Sequence, residues 1–325
     1  MTDVPATLSV ILCTHNPRAE PLRRVLAGLR SQTLPSGQWE LLLVDNASDR
    51  PLKGEWDLSW HPRARHVRED RRGKTAALLR GIADSTGDWL VCVDDDNVLA
   101  ADYLENAAAI SLRYPYLGVL GSGALEPEFE IPPPTELISR LSLLAIRKVV
   151  APLWSNNPDD HAAIPWGAGM VVRRSLAGEY QELLGRPGLR EFVGPRGQEL
   201  FRGRGWDDDI FSWLAAADGL GFGIFPQLRL THLIAGARLN QGYFVEMIQS
   251  HAFSHGVLNH LLARETAHRA DFFFLGRLLL HGVRNGYFSM RCQWAYERGR
   301  VTAAKFITDN HLPQYALDGR GLVRR

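Results

Sequence analysis

The chain opens with short apolar runs separated by stretches whose apolar positions recur every three or four residues. Leu8 to Cys13 is apolar throughout except for Ser9, the pattern of a strand covered on both faces. Pro21 to Gln32 sets Leu22, Val25, Leu26 and Leu29 on one helix face, and Trp39 to Val44 is the next strand. A short strand at Arg63 to Val67, a helix at Lys74 to Ser85 and a strand at Trp89 to Val93 continue the alternation. Strand, crossover helix and strand in succession predict an α/β fold with a mainly parallel sheet. The three apolar strands end at polar clusters: Thr14-His15-Asn16, Asp45-Asn46-Ala47-Ser48-Asp49 and Asp94-Asp95-Asp96-Asn97. Ligands of open parallel sheets bind at the carboxyl ends of strands, so the three clusters define one candidate pocket.

Farther on, Tyr103 to Tyr114 reads as a helix and Gly118 to Gly123 as a strand. Glu126 to Pro134, with Pro127 and Pro132-Pro133-Pro134, reads as a surface loop, because proline lacks the donor that regular structure needs. Ile164 to Arg173 is a strand interrupted by Gly167 and Gly169; a helix follows, then a Gly/Arg/Pro-rich loop from Gly185 to Gly205. A helix opens at Asp207-Asp208-Asp209, Phe222 to Phe225 and Leu228 to His232 form a last strand, and the pattern beyond Asn240 is helical to about Asp309.

Charge narrows the choice of partners. Lys plus Arg number 37 against 36 for Asp plus Glu, a net charge of +1, so no field of one sign draws the chain to nucleic acid. Cys13, Cys92 and Cys292 have unrelated spacings, and the first two sit in apolar runs, as buried thiols of a reducing compartment would. The first residues lack a secretory signal pattern, and Leu141 to Val150 and Phe272 to Leu280 are too short to span a membrane. A cytoplasmic protein is expected, with peripheral contact at the inner face of a membrane and homo-oligomerisation left open.

Three adjacent carboxylates, Asp94 to Asp96, repel one another unless a cation or hydrogen-bond donors hold them. Mg²⁺ or Mn²⁺, which one or two carboxylates hold together with substrate phosphates, would satisfy them; so would a solvated acidic turn capping the helix that starts near Asp102.

Four segments in order then carry a family resemblance: Ser9 to Asn16, Leu43 to Asp49, Gly73 to Ile82 and Asp94 to Asp96. Together they resemble the N-terminal half of family 2 glycosyltransferases of the GT-A fold, a Rossmann-like, mainly parallel sheet flanked by helices. The resemblance continues more weakly to about His232. It implies a GT-A domain over 1–240, with a nucleotide-binding half (1–123) and an acceptor half (124–240), and a helical C-terminal appendage over 241–325.

By position, the resemblance sets Thr14, His15 and Asn16 against the nucleotide and gives Asp45 to the base, commonly uracil. Asp45 also suits an Asx-turn, and Thr14 and Asn16 equally suit a loop or helix cap. Lys74 and Arg72, at a glycine-preceded helix start, suit a diphosphate. The resemblance makes Asp96 a metal ligand, Asp94 and Asp95 contacts to the ribose or supports of the metal, with Asp94 a candidate ligand too, and His232 a further ligand. Trp166 and Gly167 lie in the family's glycine-rich segment under the donor sugar, and a core Trp beside a β-bulge is the other reading.

The family's Glu-Asp pair, whose Asp is the general base of an inverting transfer, falls on Trp206 to Asp209. Counting back from Gly219 favours Asp208 as the base, and matching the following Asp-Ile favours Asp207; Asp208 is preferred. A carboxylate at a helix N-terminus also stabilises the helix without any catalysis.

The expected activity is metal-dependent transfer of a single sugar from a nucleotide-sugar, with UDP as the expected nucleotide, to a saccharide, lipid-linked or small-molecule acceptor. A processive synthase would carry Gln-x-x-Arg-Trp and transmembrane helices, and neither is present. The alternatives are a sugar nucleotidyltransferase, although Thr14-His15-Asn16-Pro17 is not its glycine-rich lysine loop, and a degenerate binding module.

Overall fold

The computed structural model describes residues 7–186, 189, 207–261, 274–318 and 321–324. Most of the expected Gly185 to Gly205 loop, Trp206 and the Phe272-Phe273 pair lie outside these.

Among the described residues one ten-stranded sheet organises the chain: eight strands follow the order β3 (Ala64–Glu69), β2 (Trp39–Asn46), β1 (Leu8–Thr14), β4 (Trp89–Asp94), β9 (Val171–Arg173), β6 (Leu117–Phe129), β10 (Gly221–Ile234), β5 (Asn97–Leu99), and two more pair off this path, β7 (Arg147–Lys148) with β6 and β8 (Leu153–Ser155) with β10. β1 (Leu8–Thr14), β2 (Trp39–Asn46), β3 (Ala64–Glu69) and β4 (Trp89–Asp94) are mutually parallel. Their crossovers hold α1 (Ala19–Arg30) and α2 (Lys74–Asp84). α1 buries Leu22, Val25, Leu26 and Leu29, the four positions its periodicity marks. β5 (Asn97–Leu99) and α3 (Tyr103–Arg113) follow, then β6 (Leu117–Phe129), β7 (Arg147–Lys148), β8 (Leu153–Ser155) and β9 (Val171–Arg173). α4 (Arg174–Gly185), α5 (Asp207–Ala217) and β10 (Gly221–Ile234) complete the sheet layer. β6 and β10 are parallel, whereas β9 runs antiparallel to both β4 and β6 and β5 antiparallel to β10.

Alternation sends the side chains of each strand to two cores. Val10, Leu12, Leu41 and Leu43 pack with residues of α1 and α3, while Ile11, Leu42 and Val44 face α2, α4 and α5. α6 (Gln241–Leu261) and α8 (Tyr287–Asp309) add Phe253, Val257, Ala303 and Phe306 to the second core, so the C-terminal helices share the sheet's interior. α7 (Phe274–Asn285) precedes α8, and a hairpin of β11 (Tyr315–Asp318) and β12 (Gly321–Arg324) follows it. Where α6 and α8 cross, a Cβ on Gly299 would stand 2.4 Å from the carbonyl oxygen of Gln249, so only glycine admits this approach.

Three expectations need correction. The strand expected to end at Gly123 continues to Phe129 through part of the expected loop, because Glu126 to Phe129 pair with Thr231 to Ile234 of β10. β7 pairs the other side of β6 only at Ala124 and Leu125, so Pro127 forfeits no ladder bond there. The strand expected from Ile164 begins only at Val171; the preceding backbone turns at Gly169, φ 72°, where a Cβ would lie 2.6 Å from Tyr103 Oη. Finally, Cys13 and Cys92 are half-buried rather than sealed in the core, since they face the opening at the strand ends; all three cysteines are free thiols.

At the opposite edge of the parallel strands, Glu40 is 2% exposed and accepts bonds from Ser9 Oγ (2.6 Å), Thr86 N (2.6 Å) and Arg65 Nη1 (2.7 Å). Burial alone would raise its pKa; these donors overcome that and pull it down to about 2. Its stabilising contribution is therefore complete above the ordinary carboxylate value and is lost as pH falls towards 2. Glu40→Ala orphans the Ser9 and Thr86 donors and should cost about 2–4 kcal/mol in urea unfolding at pH 7. An unchanged midpoint would mean these bonds add nothing.

Candidate active site

The parallel register puts the polar clusters side by side: Thr14 is level with Asp45, and Cys13 with Asp94. The first two clusters clasp each other. Asn16 N donates to Ser48 Oγ (2.9 Å), Asn16 Nδ2 to Asp49 Oδ2 (2.9 Å), and Asp49 N returns a bond to Asn16 Oδ1 (2.9 Å). Asn16 (φ 45°) and Ala47 (φ 53°) take left-handed backbone to make these turns. His15 donates from Nδ1 to the Asn46 carbonyl (2.8 Å) and accepts Arg72 Nη2 at Nε2 (2.5 Å).

Asp45 is 4% exposed, and its carboxylate accepts Ser48 N (3.0 Å), Leu52 N (3.1 Å) and Arg68 Nη1 (2.7 Å). Asp45 thus holds the turn that follows β2, though by backbone bonds three and seven residues on rather than the two of an Asx-turn, and both carboxylate oxygens are engaged within the protein. Asn46 was overlooked at the sequence level. Its side chain accepts Gly73 N (2.6 Å) and donates to the Arg71 carbonyl (2.7 Å), which sets the start of α2 and so aims Lys74.

Each aspartate of the triplet has a different partner. Lys74 Nζ lies 2.8 Å from Asp94 Oδ1; Thr14 Oγ1 donates to Asp95 Oδ2; Arg238 Nη1 lies 3.0 Å from Asp96 Oδ2. Asp94 ends β4 and Asp95-Asp96 make the turn to β5, so the triplet does not cap α3. β5 pairs with β10, Asn97 opposite His232, and Leu233 N donates to the Asp96 carbonyl (2.8 Å). That stitching brings His232 Nε2 to 3.6 Å from Asp96 Oδ2.

Burial would raise the Asp96 pKa, but His232 and Arg238 hold it below the usual carboxylate range. Asp95, half-buried and flanked by two carboxylates, is pushed up to about 6 by its partial burial despite the Thr14 bond. Lys74 is raised, because Asp94 outweighs the burial that would lower it.

The second acidic cluster divides by direction. Asp207, 5% exposed, accepts Tyr180 Oη and Thr75 Oγ1 (3.2 Å) beneath the site. Asp208 is half-buried, and its Oδ2 accepts Gly167 N (3.2 Å). A Cβ on Gly167 would stand 4.0 Å from both Asp208 Oδ2 and Lys74 Nζ, so the two charged groups flank this glycine. Burial, then Asp209 and Asp207, push the Asp208 pKa up to about 7.

Trp166 packs partly against the core and carries Arg147 over one ring face at 3.6 Å, so that face is covered. Tyr103 Oη fixes the bend below, bonding the Gly169 carbonyl and Ser122 Oγ.

A cavity of about 460 Å³ gathers Lys74, Asp94, Asp96, Trp166, Gly167, Asp207, Asp208 and His232, a volume in the range of small-molecule sites. Cys13 and Cys92 are on its wall as neutral thiols, burial having pushed Cys92 up to about 12. Thr14, His15, Asn16, Asp45, Arg72 and Asp95 are not part of that lining; they form the adjoining strand-end turns. Leu143, Leu144 and Ala145 line another side of the cavity with Tyr243, Met247 and His251 of α6, which the sequence did not mark. Arg238 is also on the wall and was likewise unmarked, since a lone arginine after a strand has no local signature.

Of the three expected metal ligands, the structure brings Asp96 and His232 together and turns Asp94 away from them. Asp96 Oδ2 and His232 Nε2 converge on one cationic nitrogen, Arg238 Nη1, at 3.0 and 3.1 Å. Asp94 is turned to Lys74 instead. Among the described residues no group of three or more His, Cys, Asp or Glu is gathered for a metal. A pair of protein ligands fits a cation that takes its remaining ligands from phosphates and water. No helix among the described residues is long and apolar enough to cross a membrane.

Residues 9–176 match the sequence profile of glycosyl transferase family 2. Glycosyltransferase AglE of Haloferax volcanii is 28% identical over 112 residues, which make up 34% of this chain and 36% of AglE; the matched region thus spans about a third of that curated relative. Among solved structures, the mannosyltransferase PcManGT from Pyrobaculum calidifontis, in complex with GDP-Man and Mn²⁺, superposes with a TM-score of 0.52 at 19% identity, covering 94% of this chain and 76% of that one. S. aureus TarS 1-349 gives 0.49 at 13% identity, covering 98% and 96%.

Proposed function

Given that the chain belongs to glycosyl transferase family 2, we propose that it transfers a single sugar, with inversion, from a nucleotide-sugar to an acceptor hydroxyl in the cavity above β4 and α5. The observation that carries this reading is the convergence in one cavity of Lys74, the Asp96–His232 pair and Asp208. These supply, in one place, a cation, a metal-ligating pair and a base.

Asp208 takes the acceptor proton while the hydroxyl oxygen attacks the anomeric carbon opposite the departing diphosphate. A pKa of about 7 suits that task, since a base poised near the working pH is both ionised and basic enough to act. Asp207 holds the first turn of α5 through Tyr180 and Thr75, and so orients its neighbour. Lys74, on Asp94, sets positive charge beside the leaving group. Asp96 and His232 would hold Mn²⁺ or Mg²⁺, which neutralises charge on the departing diphosphate. Trp166, on the cavity wall, borders the donor sugar, and the turn that Asp45 shapes supports the base of the nucleotide.

UDP is the expected nucleotide, and the acceptor is a saccharide, a lipid-linked sugar or a small molecule. In a thermal-shift panel of UDP- and GDP-sugars with Mn²⁺, one donor should raise the melting temperature, because ligand held at 100 times its Kd adds about 2.7 kcal/mol to the native state. The same donor should release nucleoside diphosphate when an acceptor is added. No shift with any donor would overturn the reading; a shift without turnover towards any acceptor would indicate a binding module.

A further inference from the structure

The cation that the acidic turn requires is already supplied by the protein. Arg238 Nη1 is 3.0 Å from Asp96 Oδ2 and 3.1 Å from His232 Nε2. A divalent ion shared by those two atoms needs contacts near 2.0–2.2 Å. Guanidinium and metal therefore compete for one position. His232 Nδ1 is buried without a partner, so the polar contacts of the imidazole, to Arg238 and Asp96, are both made at Nε2.

Arg238 ends a short 3₁₀ turn, Gly236–Arg238, held at its other end by Gly236 N donating to Glu130 Oε2 (2.7 Å); its guanidinium lies 6.0 Å from the Tyr243 ring centre, and its side chain is 34% exposed at the cavity, where a ligand can reach it. A diphosphate beside it offers what Asp96 offers, paired anionic oxygens matched to the guanidinium fork.

We propose that Arg238 is a resident counter-ion that occupies the metal position and leaves it when a nucleoside diphosphate draws the guanidinium away, so that metal and nucleotide bind as a coupled pair. The proposal rests on the assignment of Asp96 and His232 as the metal ligands. Coupling of this kind is reciprocal: whatever factor the nucleotide adds to metal affinity, the metal adds to nucleotide affinity.

The test is a Mn²⁺ titration followed by the electron paramagnetic resonance of free Mn²⁺, on the full chain, with and without UDP or GDP. The wild type should bind Mn²⁺ weakly alone and at least tenfold more tightly with the nucleotide. Arg238→Gln should bind Mn²⁺ alone at least tenfold more tightly than the wild type, and the nucleotide should then add little. Arg238→Lys, which keeps the charge, should stay close to the wild type. An Arg238→Gln protein whose nucleotide-free Mn²⁺ affinity is unchanged or weaker overturns the proposal. Asp96→Asn separates the two levels: if it abolishes Mn²⁺ binding while Arg238→Gln changes nothing, only the counter-ion role fails. If Asp96→Asn binds Mn²⁺ as well as the wild type, the metal assignment itself fails and the proposal with it.

Discussion

Asp208→Asn lowers kcat by about 10²–10⁴-fold, the contribution of a general base, while the donor's Kd changes little. The basis is the direction of the side chain. Asp208 meets the cavity beside Gly167 and Lys74, whereas the Asp207 carboxylate is buried against Tyr180 and Thr75. Asp207→Asn keeps an amide oxygen that Tyr180 and Thr75 can still donate to, so it should act mainly on stability, by about 1 kcal/mol as charge-assisted bonds become neutral ones, and leave kcat within about tenfold. The pH profile gives an independent reading. With the Asp208 pKa raised to about 7, kcat/KM should fall about tenfold per unit below pH 7 and level off above it, as protonation removes the base. An active Asp208→Asn beside a dead Asp207→Asn would move the base by one residue.

The second large effect is at the acidic turn. Asp96→Ala removes one of the two side chains that converge on the cation position and leaves Arg238 without its carboxylate, so transfer should drop on the order of 10³-fold. Saturating Mn²⁺ should not restore it. Thr14→Val, by contrast, frees Asp95 from one hydrogen bond at the edge of the site and should cost activity far less. The comparison of initial rates at fixed donor, across a Mn²⁺ series, decides this. Full activity of Asp96→Ala with unchanged metal dependence would remove Asp96 from the mechanism.

Much of this arrangement is written locally. The buried face of α1, the three strand ends and the start of α5 follow from periodicity and from polar residues that interrupt apolar runs. The gathering of Lys74, Asp96, Asp208 and His232 into one cavity follows the family resemblance, which supplied an order of motifs rather than geometry.

What stayed hidden depends on pairing between distant segments. Pro127 looks like a strand breaker until β10 is seen to satisfy one side of β6 and, among the described residues, no strand to pair with Pro127 on the other. β5 is three residues long, too short for a periodic signal, yet it fastens the acidic turn to His232. Arg238 and Tyr180 act across 142 and 27 residues on carboxylates whose own sequence gives no hint of a partner. The three aspartates suggested a demand for positive charge. The fold answers it with Lys74, Arg238 and the Thr14 hydroxyl, and Asp96 is the carboxylate of the three that also lies beside His232, the pair proposed above to hold the metal.

The most direct test is crystallographic: crystals grown with a nucleoside diphosphate and Mn²⁺, measured for the anomalous signal of manganese. The predicted result is a peak between Asp96 and His232, the diphosphate beside it in the cavity with Lys74, and the Arg238 guanidinium turned off Asp96. A nucleotide bound away from this cavity, or one bound within it with no manganese near Asp96 and Arg238 still in place, would contradict the account.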